Sequence, residues 1–194
     1  MILNKKSEKF QDINKIAVFL DRDGTICKDV HYMSSPDQLE LLPGVVEGIS
    51  LLNSLGLKVI IVTNQSGIAR GYFTEEDLNE IHQKMLKMLS EGGARIDGIY
   101  YCPHHPNEGC ECRKPKIGLL LKAAQDFKLD LKNCFMIGDK CIDVQAGRNA
   151  GCTTILIPST ETEKEIIPQP DYIAANFYEA AKIIERLLKE SNLI

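Results

Sequence analysis

The sequence predicts an α/β fold in which helices cover both faces of a parallel sheet. Short apolar runs of strand length alternate with segments whose apolar residues recur at helical spacing. Such alternation gives parallel strands joined by helical crossovers. The chain has 194 residues, 44% of them hydrophobic, which is enough to bury one core. We therefore expect residues 1–194 to form a single domain with a three-layer, Rossmann-like architecture.

Six apolar runs have the length of buried strands. They are residues 16–20, 58–63, 96–101, 134–138, 153–157 and 172–175. Parallel sheets bind ligands outside the carboxyl ends of their strands. Three of the predicted strands end in polar side chains suited to a ligand, namely Asp21, Thr63 and Asp139. The sequence therefore predicts a site at this edge of the sheet.

Five segments have helical spacing. The first, 45–55, has Pro43 before its start and Gly56 just past its end, as helix punctuation favours. In the second, Thr74 can cap the helix together with Asp77, three residues further on. The remaining helices are predicted at 117–127, at 141–150 and from residue 177 onward.

Composition argues against several classes of function. A net charge of −4 disfavours general nucleic-acid binding, and apolar runs such as 59–62 are far too short to span a membrane. Residues 1–15 lack the apolar core of a signal peptide, so we expect a cytoplasmic protein. We also expect it to be a monomer. Because cytoplasmic thiols stay reduced, the seven cysteines indicate metal binding or free thiols rather than disulfides.

The motif Asp21-Arg22-Asp23-Gly24-Thr25 directly follows the first predicted strand. Two carboxylates so close together can hold a hard cation and leave one carboxylate free to attack phosphorus. A calcium loop of the helix-loop-helix type would need Gly at its sixth position and Glu at its twelfth, but Ile26 and Tyr32 stand there. The remaining alternative is an ordinary strand-to-turn connection, since Asp and Gly favour turns.

A second cluster of ligand-type residues has the pattern Cys102-x-His104-x₅-Cys110-x-Cys112. Three thiolates and one imidazole form a complete tetrahedral set for a structural Zn²⁺, with no position left open for water. His105 is a competing ligand beside His104, and a reduced thiol cluster without metal is the other alternative. We predict that zinc staples a loop without secondary structure and so directs Arg113 and Lys114, which follow it.

The four motifs Asp21-x-Asp23-Gly24-Thr25, Val62-Thr63-Asn64, Arg113-Lys114-Pro115 and Gly138-Asp139-x₃-Asp143 resemble those of the haloacid dehalogenase superfamily of phosphatases. The resemblance implies that Asp21 is the nucleophile and that Asp23 is the general acid and base. Thr63 would bind a phosphoryl oxygen, and Lys114 would neutralise phosphoryl charge. The resemblance also implies a Mg²⁺ site formed by Asp21, the backbone carbonyl of Asp23, and Asp139.

Longer motifs between residues 16 and 158 resemble the heptose 1,7-bisphosphate 7-phosphatase family. They are Thr63-Asn64-Gln65-Ser66-Gly67-Ile68-Ala69-Arg70-Gly71, Tyr100-Tyr101-Cys102-Pro103-His104-His105-Pro106 and Cys110-Glu111-Cys112-Arg113-Lys114-Pro115. This resemblance implies a small-molecule substrate, a sugar bisphosphate that loses its C7 phosphate. The spacing between the motifs leaves no length for a separate cap domain, so we expect a capless enzyme. From the charge and the short apolar runs we expect no nucleic-acid or membrane partner. By the same resemblance, the substrate-binding residues would be Asp29, Val30, His31, Tyr32, Asn64, Gln65, Ser66, Arg113 and Lys140. Some of these polar side chains could instead cap helices or bond backbone.

Other functions are compatible with the same motifs. Histidinol-phosphate phosphatases share the four motifs and the cysteine cluster, and the 3′-phosphatase domain of polynucleotide kinases is a more distant relative. The zinc loop has only five residues between His104 and Cys110, fewer than in some members with the heptose substrate. An alternative of another class is a catalytically silent, zinc-stabilised binding module.

Overall fold

A computed structural model describes residues 12–159 and 167–194 of the chain. Six parallel strands form one sheet in the order β3-β2-β1-β4-β5-β6. The strands are β1 (Ala17–Leu20), β2 (Lys58–Asn64), β3 (Gly98–Cys102), β4 (Phe135–Gly138), β5 (Thr153–Leu156) and β6 (Tyr172–Ile173). All six predicted strands are present, and their ends differ from prediction by one or two residues.

Five α-helices connect and follow these strands. They are α1 (Val45–Ser54), α2 (Glu75–Glu91), α3 (Gly118–Phe127), α4 (Cys141–Ala150) and α5 (Phe177–Glu190). The predicted cap of α2 is confirmed, because the Asp77 N–H donates to Thr74 Oγ1 and the Thr74 N–H donates to Asp77 Oδ2. Each helix was predicted, because its apolar period and its capping residues are local signals.

The helices lie in two layers, one on each face of the sheet. Alternate residues of β1 point to opposite faces: Val18 and Leu20 enter one core, whereas Ala17 and Phe19 enter the other. The first core contains buried residues of α1, α2 and α5, and the second contains buried residues of α3 and α4. The three-layer prediction is therefore confirmed.

The loops that follow β1 and β2 contain little regular secondary structure. Between β1 and α1, residues 21–44 hold a single turn of 3₁₀-helix at Pro36–Gln38, and residues 65–74 join β2 to α2 without a further helix or strand. No helix in the described part of the chain is long and apolar enough to cross a membrane. Of the segment inspected for a signal peptide, residues 1–11 lie outside the described residues.

Candidate active site

Three neighbouring strands bring the predicted catalytic residues together. Asp21 follows β1, Thr63 lies at the end of β2, and Asp139 follows β4, and β1 is paired with both of these strands. Their carboxyl ends border a cavity of about 230 Å³. Of the residues predicted for catalysis and substrate binding, those that line the cavity are Asp21, Asp23, Asp29, His31, Tyr32, Thr63, Asn64, Gln65, Ser66, Arg113, Lys114 and Lys140.

Three buried carboxylates form an acidic cluster beside the cavity. Asp21, Asp139 and Asp143 each offer an oxygen within 4.8 Å of the others. Asp143 belongs to the fourth motif, but no role was predicted for it. It lies in the first turn of α4, one helical turn after Asp139, a spacing that could have indicated a shared site.

Lys114 is fully buried between two of these carboxylates. Its Nζ lies 2.8 Å from Asp21 Oδ1 and 2.7 Å from Asp143 Oδ1. Although burial lowers the pKa of Lys114, the charges of Asp143 and Asp21 raise it above its ordinary value overall. Lys114 therefore stays protonated, and its contact restrains the side chain of Asp21.

One lysine does not balance three carboxylates. Burial, reinforced by the charges of Asp21 and Asp143, raises the pKa of Asp139 to about 7. Gly24 has a φ of +82°, and a Cβ there would overlap the Asp139 carboxylate, so glycine lets the loop after β1 approach it. Closely spaced carboxylate oxygens with surplus negative charge suit a hard cation such as Mg²⁺, so the donor set fits the predicted metal.

Asp21 has one oxygen held by two donors. Its Oδ1 accepts from Lys114 Nζ and, at 2.8 Å, from the backbone N–H of Arg22. These bonds fix the rotamer of the carboxylate and leave Oδ2 without a hydrogen bond from any residue that the structure describes. The geometry is that of a nucleophile held in one orientation.

Asp23 is held from two directions. The Arg22 guanidinium donates to it through Nε and Nη2, at 3.0 and 2.9 Å, and Gln65 Nε2 donates to Asp23 Oδ2 at 2.8 Å. Gln65 Nε2 also donates to Thr63 Oγ1 at 2.8 Å, which leaves the Thr63 hydroxyl hydrogen available as a donor. Gln65 was predicted to bind substrate, and its observed contacts are with these two side chains, which were predicted to be catalytic.

Asn64 lines the cavity and also bonds to the backbone of Lys114. Its amide group donates to the carbonyl oxygen of Lys114 at 3.1 Å and accepts from the Lys114 N–H at 3.0 Å. The end of β2 thereby holds the lysine loop in place. This contact matches the alternative in which a polar loop residue bonds backbone.

An ion pair joins two residues that line the cavity, Asp29 and Lys140. Lys140 Nζ lies 2.7 Å from Asp29 Oδ2, and Asp29 Oδ1 accepts from the His31 N–H at 3.0 Å. His31 and Tyr32 both have a φ of 50°, an uncommon backbone conformation for such residues that turns the loop along the cavity. Val30, predicted to bind substrate, instead packs against the first core because its side chain is apolar.

Arg113 stands directly after the cysteine cluster and lines the cavity. Its Nη1 atom is buried and makes no hydrogen bond within the part of the chain that the structure describes. Unsatisfied buried donors are rare in folded proteins, and a guanidinium is well shaped to bind phosphate in bidentate fashion. Arg113 can therefore bind an anion in the cavity.

The four predicted ligands of the second metal site converge. Cys112 Sγ lies 3.1 Å from Cys102 Sγ, 3.4 Å from Cys110 Sγ and 3.1 Å from His104 Nδ1. His105, the competing ligand, instead accepts from the Asn107 N–H and caps a 3₁₀-helix at Pro106–Glu108. The loop thus contains one helical turn, contrary to the prediction of no secondary structure, because Pro106 favours helix initiation.

Together, a parallel sheet with helices on both faces and a buried aspartate–lysine site at its carboxyl edge define a phosphatase of the haloacid dehalogenase type. A family model described as HAD-hydrolase-like matches residues 111–180. The chain is 40% identical to a D-glycero-beta-D-manno-heptose-1,7-bisphosphate 7-phosphatase of Pasteurella multocida, over 89% of this chain and 98% of that one. It is 45% identical to a D-glycero-alpha-D-manno-heptose-1,7-bisphosphate 7-phosphatase of Campylobacter jejuni, over 76% and 85% of the two chains.

Solved structures agree with these relatives. The D,D-heptose 1,7-bisphosphate phosphatase of B. bronchiseptica, crystallised with magnesium and phosphate, superposes with a TM-score of 0.82. Its sequence is 36% identical, and the match covers 91% of this chain and 99% of that chain. The chain belongs to the D-glycero-D-manno-heptose 1,7-bisphosphate 7-phosphatase family, and it is a phosphoric monoester hydrolase.

Proposed function

We propose that this enzyme removes the C7 phosphate of D-glycero-D-manno-heptose 1,7-bisphosphate, a step in making nucleotide-activated heptose. The observation that carries the proposal is the full set of four catalytic side chains around one cavity, in a chain whose relatives bear this activity in their names. The intact set also argues against a catalytically silent binding module.

In the first step, a carboxylate oxygen of Asp21 forms a bond to phosphorus while the bond from phosphorus to the sugar oxygen breaks. Asp23 donates its proton to the departing alkoxide, so the sugar leaves as a neutral alcohol. Lys114 and the Thr63 hydroxyl offset charge on the phosphoryl oxygens. Asp21 then carries the phosphoryl group as an aspartyl-phosphate.

In the second step, Asp23 acts in the opposite sense. As a carboxylate it accepts a proton from water while the water oxygen bonds to phosphorus, and the bond from phosphorus to Asp21 breaks. Inorganic phosphate is released, and both aspartates return to their starting states. Lys114 again restrains the Asp21 carboxylate, and Asp143 holds Lys114 in place through its own ion pair with Nζ.

Mg²⁺ would be held by Asp21, Asp139 and the backbone carbonyl of Asp23, with Asp143 supporting the cluster through Lys114. When bound, it supplies positive charge that offsets the repulsion between a carboxylate nucleophile and a phosphate dianion. The raised pKa of Asp139, caused first by burial and then by two neighbouring carboxylates, supports this assignment, because a bound cation would stabilise its charged form.

The second phosphate of the substrate suits Arg113. This side chain lines the cavity and carries a buried nitrogen without a hydrogen-bond partner among the described residues. A planar guanidinium can bind a phosphate through two parallel hydrogen bonds, which lysine cannot do. A substrate with one phosphate to be cleaved and another to be held fits this arrangement.

Phosphate release tests the proposal. The assay would compare both C1 anomers of heptose 1,7-bisphosphate with histidinol phosphate, in the presence of Mg²⁺. We expect at least about a 100-fold higher kcat/KM for one heptose anomer, because histidinol phosphate leaves the site's polar groups unpaired. A preference for histidinol phosphate would overturn the substrate but leave the mechanism, and no turnover of any phosphate ester would favour the silent module.

Zinc in the cysteine cluster is the second metal proposed. Three thiol sulfurs and His104 Nδ1 lie close enough to share one ion, and thiolates with imidazole are the ligands that structural zinc prefers. The cluster joins the end of β3 to Arg113 and Lys114, which follow Cys112 directly. Zinc would therefore hold two residues of the active site in position without taking part in the chemistry.

Replacing Cys110 with serine should lower stability and loosen the active site. Loss of one ligand weakens zinc binding, and the free energy of binding a structural metal contributes directly to folding. We expect the melting temperature to fall by several degrees or more and the KM to rise. The zinc content should fall from about one ion per chain to much less. Zinc content by mass spectrometry and thermal melting would measure this.

The control is Cys141→Ser, since Cys141 lies outside the cluster and its thiol donates to the Ile167 carbonyl. This variant should keep its zinc. An unchanged metal content in Cys110→Ser would contradict the proposed zinc site.

A further inference from the structure

Arg22 stands between the two catalytic aspartates, and its side chain is only 1% exposed. Both oxygens of Asp23 accept from the guanidinium, which also donates from Nη2 to Gln65 Oε1 at 3.1 Å. Its third nitrogen, Nη1, lies 3.3 Å from His82 Nε2. Every nitrogen of this buried guanidinium therefore has an acceptor, and its plane is fixed.

His82 is a buried polar residue on α2, next to Ile81, which enters the first core. An arginine side chain can only donate, so His82 Nε2 must accept and the ring must be the neutral tautomer with its proton on Nδ1. Burial and the charge of Arg22 lower the pKa of His82 to about 3, which agrees with a neutral ring.

Removing the acceptor at His82 would leave Nη1 of a buried cation without a partner. A buried charge that loses a hydrogen bond is strongly penalised, so the guanidinium would turn to find another acceptor or water. Because Asp23 is paired with the same planar group through Nε and Nη2, its carboxylate would turn as well. Helix α2 thus reaches the general acid through two side chains.

We propose that His82 is a positioning residue of the phosphatase reaction, which holds Arg22 and, through it, the carboxylate of Asp23. His82 is not within hydrogen-bond distance of Asp21 or of Asp23 in the described contacts, so it acts only through Arg22. The inference rests on the proposed role of Asp23 as the acid that protonates the leaving group.

The nature of the leaving group separates positioning from simple packing. A sugar alkoxide leaves poorly and needs a proton from Asp23, whereas p-nitrophenolate leaves readily without one. The ratio kcat/KM reports the steps up to formation of the aspartyl-phosphate. A misplaced Asp23 therefore lowers kcat/KM for an alkyl phosphate much more than for an aryl phosphate, while a loosened core would lower both.

Three variants test this. His82→Leu fills the site without an acceptor, His82→Gln places an amide near the position of Nε2, and His82→Asn carries an amide too short to reach Arg22. We expect His82→Leu and His82→Asn to lower kcat/KM for heptose 1,7-bisphosphate by about 10- to 100-fold, and for p-nitrophenyl phosphate by less than about threefold. His82→Gln should stay within about threefold of wild type on both substrates.

Equal losses on the two substrates, or no loss in His82→Asn, would overturn the proposal. If His82→Leu does not fold, His82→Asn and His82→Gln keep the test decisive. Both place a polar amide at the site, and they differ only in whether that amide reaches Arg22. Asp23→Asn serves as the benchmark and should show the same selective loss more strongly. If Asp23→Asn lowers kcat/KM equally for both substrates, the assigned role of Asp23 fails, and with it the basis of the inference.

Discussion

Replacing Asp21 with asparagine should lower kcat by at least about 10⁴-fold while leaving the fold intact. An amide oxygen cannot form the acyl-phosphate bond on which both steps depend. The fold should survive because Lys114 keeps its ion pair with Asp143, at 2.7 Å, and because the change removes one of three mutually repelling carboxylates. The expected shift in melting temperature is at most about 2–4 °C.

Phosphate release with saturating Mg²⁺ and thermal melting would be measured on the same preparation. Asp37→Asn is a matched control, because it makes the same chemical change at a side chain that is 98% exposed and lies outside the cavity. It should keep wild-type activity. Residual turnover above about 1% in Asp21→Asn would show that another group attacks phosphorus.

Replacing Lys114 with methionine should lower the free energy of unfolding by about 3–5 kcal/mol and abolish most activity. The change leaves Asp21 and Asp143 buried beside each other without their shared cation. Added Mg²⁺ should recover part of the lost stability, because a cation that binds the folded state stabilises it. Urea unfolding at neutral pH, with and without Mg²⁺, would measure both effects.

Lys87→Met is the control for this change. Lys87 is exposed on α2, and its pair with Glu91 at 4.0 Å is a surface contact, so its loss should change stability by no more than about 0.5–1 kcal/mol. If Lys114→Met were as stable as this control, the lysine would not be compensating buried charge.

Much of the fold was predictable because its signals are local. The apolar runs of β1, β2 and β4 and the Thr74–Asp77 cap of α2 depend on residues only a few positions apart. The strand ends were less certain: β6 is Tyr172–Ile173 rather than 172–175, since a strand ends where its neighbour stops pairing with it. The 3₁₀-helix at Pro106–Glu108 was missed because a single turn has no periodicity to detect.

The site was predicted in its residue types but not in its contacts. Asn64 and Gln65 were predicted to bind substrate, and both line the cavity. The sequence did not indicate that Asn64 also holds the backbone of Lys114 or that Gln65 also holds Asp23 and Thr63. His82 gave no signal at all, since its position on a helix face says nothing about a guanidinium 60 residues away. Polar residues near a site can support other side chains as readily as they bind a ligand.

The sequence by itself determined the order of strands and helices along the chain, the carboxylates at the strand ends and the two sets of residues predicted to bind metal. These follow from periodicity, capping and the chemistry of each side chain, which act over a few residues. Only the tertiary structure decided that β1 lies between β2 and β4, so that Lys114 meets Asp21 and Asp143 in the interior. Such pairings form between distant segments, and their strength depends on burial and distance, which the order of residues does not contain.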